Sequence, residues 1–117
     1  MDERSVILLF TALLDLTDSQ RAQMTTIFDA AVAAAAPAAT QLDENKAALY
    51  QAAKSGKTDD QIKSMAEQEA SLTAKLLTLQ VQTFSKMLKL LNPDQQSKVD
   101  ASMYAHIGDF IDSARQP

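Results

Sequence analysis

The sequence of 117 residues predicts an all-α fold: a single domain over residues 1–117, built on a long bent antiparallel helical hairpin with shorter N- and C-terminal helices packed on it, four helices in total. Three observations carry that prediction. Good helix formers (alanine, leucine, glutamine, lysine and methionine) dominate a chain with only 2 glycines and 3 prolines, and β-branched and aromatic residues are too scattered to make strands. A small polar residue followed three positions later by glutamine occurs at Thr17/Gln20, Thr58/Gln61 and Asn92/Gln95, and each pair can form the reciprocal capping box that starts a helix. After the first start runs an apolar stripe in alternating steps of four and three, the seam of a coiled coil.

The first segment, about residues 2–15, carries Val6, Leu9, Phe10, Leu13 and Leu14 at helical spacing. It is too short to be stable alone, so it docks in the core or contributes to a dimer or client contact. The apolar run from Val6 to Leu14 is not read as a signal peptide, because Asp2, Glu3 and Arg4 before it sum to −1 and no small-residue cleavage site precedes Leu16. At about nine residues it is also too short to span a bilayer. The second segment starts at the Thr17 cap and runs to about Ser55, with Met24, Phe28, Ala31, Ala35, Ala38, Leu42, Asn45, Leu49 and Ala52 on its seam. Pro37 lies inside it, removes one backbone hydrogen bond and predicts a bend. The uncharged run of small side chains around it, 30–40, suits either a tight helix contact or a shallow surface that meets partly unfolded chains. Asn45 is expected to set the register of the seam.

Lys54, Ser55, Gly56 and Lys57 make the hairpin turn, where a glycine ends one helix and the lysines sit near its negative pole. The Gly56-Lys57-Thr58 sequence is not read as a phosphate loop, because the upstream glycine and the strand that such a loop needs are missing. The third segment, about 59–91, has two stripes: Ile62, Met65, Leu72, Leu76 and Leu79, and then Leu77, Val81, Phe84, Leu88 and Leu91. The first is expected to face segment two and the second to receive segments one and four. Met65 and Met87 read as gap-filling residues. The fourth segment starts at the Asn92 cap, with Pro93 at its first helical position, and runs to about Ala114. Its buried line is Val99, Met103, Ile107 and Phe110, flanked by Tyr104 and Ile111. Gly108 predicts close approach of a neighbouring backbone, and residues 113–117 are expected to fray.

Charge and composition narrow the function. The net charge is −4 and the 11 basic residues are dispersed, which argues against a nucleic-acid partner. Cysteine is absent, so thiolate chemistry and disulfides are excluded. No nucleophile stands in a pattern with a base and no cofactor motif occurs, so no enzyme, cofactor or catalytic residue is predicted. His106, the one histidine, reads as an ordinary helical residue. A metal site from His106, Met103 and Asp109 or Asp112 would need a partner chain to complete it, and no metal is predicted.

The motifs Leu16-Thr17-Asp18-Ser19-Gln20 and Leu91-Asn92-Pro93-Asp94-Gln95, about seventy residues apart around a helical hairpin, resemble the paired LTxxQ repeats of the Spy/CpxP family of bacterial periplasmic proteins. Leu16, Thr17, Gln20, Leu91, Asn92 and Gln95 carry the resemblance, which extends over about residues 5–112. The second motif has asparagine where the family has threonine, a conservative change at a cap. The resemblance implies a periplasmic, ATP-independent holdase or envelope-stress accessory protein, a curved homodimer whose concave face shields unfolded clients. It also implies a precursor whose signal peptide is missing here, with Met1 an added start. A metal-responsive or sensor-kinase-regulating interaction protein is the alternative. With its acidic balance, client binding is expected to lean on apolar contacts such as Met24, Phe28 and Tyr50.

Overall fold

The structure, a computed structural model, describes residues 1–114. Among them the order is α1 (Glu3–Leu14), α2 (Asp18–Lys54), α3 (Asp59–Leu90), α4 (Pro93–Gln96) and α5 (Ala101–Asp112), with no strand. All three expected capping boxes form. Thr17, Thr58 and Asn92 each accept from the backbone N–H of the glutamine three residues on, and each glutamine side chain accepts in return from the cap's N–H. Each box satisfies two of the N–H groups that a helix start leaves without partners.

The fourth segment is two helices, not one. After Gln96 the chain leaves the helix, and Asp100, in extended conformation, accepts from the N–H groups of Ser102 at 3.0 Å and Met103 at 3.2 Å. That second cap restarts the chain as α5 and accounts for five helices where four were expected. The expected fraying at 113–117 is not seen at its first two residues. Ser113 donates its hydroxyl to the Asp109 carbonyl at 2.7 Å and Ala114 is buried, while residues 115–117 lie outside the described residues.

α2 and α3 form the antiparallel hairpin, and the domain measures 56 × 27 × 17 Å. Gly56 closes the turn with φ 74°, and Lys57 N–H reaches the Ala52 carbonyl at 3.0 Å, a bond pattern that needs a left-handed residue after the helix. α2 runs without a break through Pro37. Its seam is buried as expected at Met24, Phe28, Ala31, Ala35, Ala38, Asn45 and Ala52, and the Asn45 amide donates to the Met65 carbonyl across the hairpin at 3.1 Å.

α1 and α5 pack on the open end of this hairpin. The core there joins Val6, Phe10 and Leu14 of α1, Met24 and Phe28 of α2, Leu76 and Met87 of α3, and Met103, Ile107, Phe110 and Ile111 of α5. Phe28 sits at its centre, edge-on to Phe10 with centroids 6.3 Å apart and tilted on Phe110 at 4.8 Å. Two parts of the expected stripes turn outward. α1 buries Ile7 beside its Val6–Phe10–Leu14 ridge, so Leu13 falls on the flank and is 50% exposed. On α3 the inward line is Leu76, Thr83 and Met87, which leaves Leu77 54% and Val81 48% exposed instead of covered. Gly108 does mark a close approach, but to a side chain and not a backbone: a Cβ there would lie 2.5 Å from Gln80 Nε2, which donates to the Tyr104 carbonyl.

Candidate functional site

The two motifs meet in space. Leu16 and Leu91 are buried, and each motif glutamine, besides completing its own cap, turns its amide toward the other motif. Gln20 Nε2 donates to Gln95 Oε1 at 2.7 Å, and Gln95 Nε2 donates to Gln20 Oε1 at 2.9 Å. Each Nε2 also reaches backbone ahead of the opposite motif: Gln20 to the Leu90 carbonyl at 3.0 Å, and Gln95 to the Leu14 and Asp15 carbonyls at 3.2 and 3.4 Å. The result is a near-twofold clasp of two amides that ties the end of α1 and start of α2 to the end of α3 and start of α4. Gln95 is buried within it, so its polar atoms depend on these partners. Sequence alone showed the caps of Leu16, Thr17, Gln20, Leu91, Asn92 and Gln95. The amide exchange, across 75 positions of sequence, it did not show.

The three residues expected to touch clients separate. Met24 and Phe28 have no exposed surface, because α1 and α5 close over the seam of α2 at that end; this overturns their assignment to an exposed surface. Tyr50 is 63% exposed, with the Lys54 ammonium 5.4 Å from its ring centroid, a cation–π placement. On the helix Tyr50 stands one turn past Lys46 and two past Asp43, which line a cleft with Leu42, Leu76, Leu77 and Asp112. Tyr50 and Leu77 therefore share one side of the hairpin, and Val81, one turn from Leu77, extends it toward a shelf made by Phe84, Val99 and Tyr104. Phe84 and Tyr104 meet edge-on at 5.2 Å. These exposed α3 residues are the ones that sequence reasoning had placed under cover. The opposite side of the hairpin carries a 630 Å³ groove lined by α2 and α3 alone, with small uncharged side chains such as Ala34, Pro37, Ala74 and Thr78, and one cation, Lys75.

Chemical groups are few. His106 is half-buried, with Nδ1 enclosed and unbonded. Met103 turns into the core while Asp109 faces solvent, which splits the residues of the conceivable metal set, and no three acidic or histidine side chains gather as a metal-holding group among the described residues. None of the described helices is long and apolar enough to cross a membrane.

Compared with known proteins, residues 9–103 match a family described as LTXXQ motif family protein, a span that includes both motifs and the whole hairpin. No curated protein and no solved structure matches the chain.

Proposed function

The chain belongs to the LTXXQ motif family, which includes the Spy/CpxP-like periplasmic proteins, and from that premise we propose that it is an ATP-independent periplasmic chaperone or envelope-stress accessory protein, acting as a homodimer. The family is not an enzyme family. The observation that carries the proposal is the exposed apolar edge of Leu77 and Val81 on α3, on the side of the hairpin that also carries the exposed Tyr50 of α2 beyond Asp43 and Lys46. Large apolar side chains one turn apart and open to water suit contact with another apolar surface, and no charge directly interrupts the Leu77–Val81 pair. The groove on the other side, small-lined and nearly uncharged, suits an extended chain of no fixed sequence. A client held on the Leu77 edge is bound by surface contact, with the Phe28 core left closed.

The test is light scattering from a chemically unfolded, aggregating client with this protein at near-equimolar dimer and no ATP, beside sedimentation of the protein alone. We expect suppression by the wild type and a clear loss of it in Leu77→Ser/Val81→Ser, at unchanged helicity. Absence of suppression across several clients would reject the holdase reading, and a monomer at all concentrations would reject the dimer.

A further inference from the structure

We propose that Glu3 and Asp29 form a proton-operated latch between α1 and α2: sharing one proton they hold the first turn of α1 down, and with both carboxylates charged they release it and open the cleft over Ile7. The two carboxyls face each other in a 380 Å³ cleft between α1 and the N-terminal turns of α2. Its other charged groups are Arg4 on α1 and Asp18 and Arg21 on α2; α3, α4 and α5 line none of it. Neither arginine neutralises the pair. Arg21 holds Asp18 at 3.0 Å, and Arg4 forms no ion pair with either carboxyl. Thr25 is also committed, its hydroxyl donating to the Arg21 carbonyl at 2.9 Å.

Glu3 Oε1 is enclosed and has no donor, so an ionised Glu3 loses water without gaining a partner. A protonated Glu3 can donate to Asp29 instead. Burial first, then that hydrogen bond and the Asp29 charge, push the Glu3 carboxyl up to about 7. The folded state therefore binds more protons than the unfolded chain between the ordinary value of 4.5 and about 7. The latch contributes in full below that window, and its contribution is lost as the pH rises through 7. Phe10 and Leu14 keep the rest of α1 anchored in the core, so the movement is confined to the first turns, where Ile7 is buried and Leu8 is already exposed.

The experiment is native-state hydrogen exchange of the full chain by NMR at pH 5 and pH 8, corrected for intrinsic exchange, together with a carbon-13 titration of the Glu3 side chain. In the wild type, protection of the Ile7 and Leu8 amides should fall about tenfold or more between the two pH values while amides of the Phe28 region stay unchanged, since each unit of pKa displacement is a tenfold bias. Glu3→Gln, which keeps a donor toward Asp29 at every pH, should abolish the fall, and Asp29→Asn should bring the Glu3 midpoint back toward 4.5. A wild-type protection that is flat with pH, or a fall that persists in Glu3→Gln, would overturn the latch.

Discussion

At the scale of single residues, the two motif glutamines do two jobs that are separable by mutation. Each caps its own helix, and each is half of the amide pair that joins the two chain ends of the hairpin. Gln95→Ala removes the buried member and strands the Leu14 carbonyl and one face of Gln20, so it should cost about 2 to 3 kcal/mol, near the top of the range for an orphaned buried group. Gln20→Ala, at the more open side, should cost about 1 to 2 kcal/mol. Urea denaturation of both singles and the double should give a coupling of about 1 to 2 kcal/mol, because once one amide is gone the other has already lost its partner. Additive losses would mean that the glutamines act only as separate caps. The caps were legible in sequence because they are local, a polar residue and a glutamine three positions apart. The pairing was not, because nothing in a five-residue motif says which distant motif it will face. Phe28 shows the converse limit: its place on the stripe of α2 was readable, but whether a partner covered that stripe depended on α1 and α5.

At the scale of elements, the same contrast separates α2 from the C-terminal region. The steps of four and three along α2 fix one face, and that face is turned inward from Met24 to Ala52, fully buried at Met24, Phe28, Ala31, Ala35, Ala38, Asn45 and Ala52 and half-buried at Leu42 and Leu49. In the C-terminal region Val99, Met103 and Ile107 keep helical spacing across a break, so periodicity joined what the Asp100 cap divides. Asp100 lacks the glutamine that marked the other three starts, and it caps through Ser102 and Met103 instead. Ser102, first by its hydroxyl, and the Met103 N–H hold the Asp100 carboxyl below its usual value, which keeps this cap charged below the pH at which an ordinary aspartate protonates. Pro37 is the element-scale exception, since it has no N–H for the Ala33 carbonyl and still leaves α2 continuous. It is exposed and borders the groove, so little packing depends on it. Pro37→Ala should therefore raise stability by about 1 to 3 kcal/mol, most of the penalty for an interior proline, read as a higher urea midpoint at unchanged slope. A neutral or destabilised variant would show that the proline ring or a bend at Ala33 is held in place by the groove wall.

At the scale of the whole molecule, the 56 Å length is divided unequally between a packed end and a bare arm. The hydrophobic core and the residues packed on it reach along the hairpin only to Leu42 on α2 and Leu72 on α3. Beyond them, residues 43–71 are two helices and a turn. That arm is held by Ala52, by half-buried Leu49, Ile62 and Met65, and by the Asn45 bond to the Met65 carbonyl. Two helices of such length in contact along one seam bury too little to fold alone, so the arm depends on the packed end for its structure and can open without it. Hydrogen exchange should show this as two classes. Amides near Phe28 and Phe110 should exchange only through global unfolding. Those between Ala48 and Gln68 should exchange at least about tenfold faster, with weak denaturant dependence, because their opening exposes little surface. Uniform protection along the hairpin in dilute protein would contradict this division of a single chain. Arm protection that grows with protein concentration while the packed end stays constant would place the second copy of the proposed dimer on the arm, since only a partner bound there can slow an opening that the rest of its own chain does not oppose.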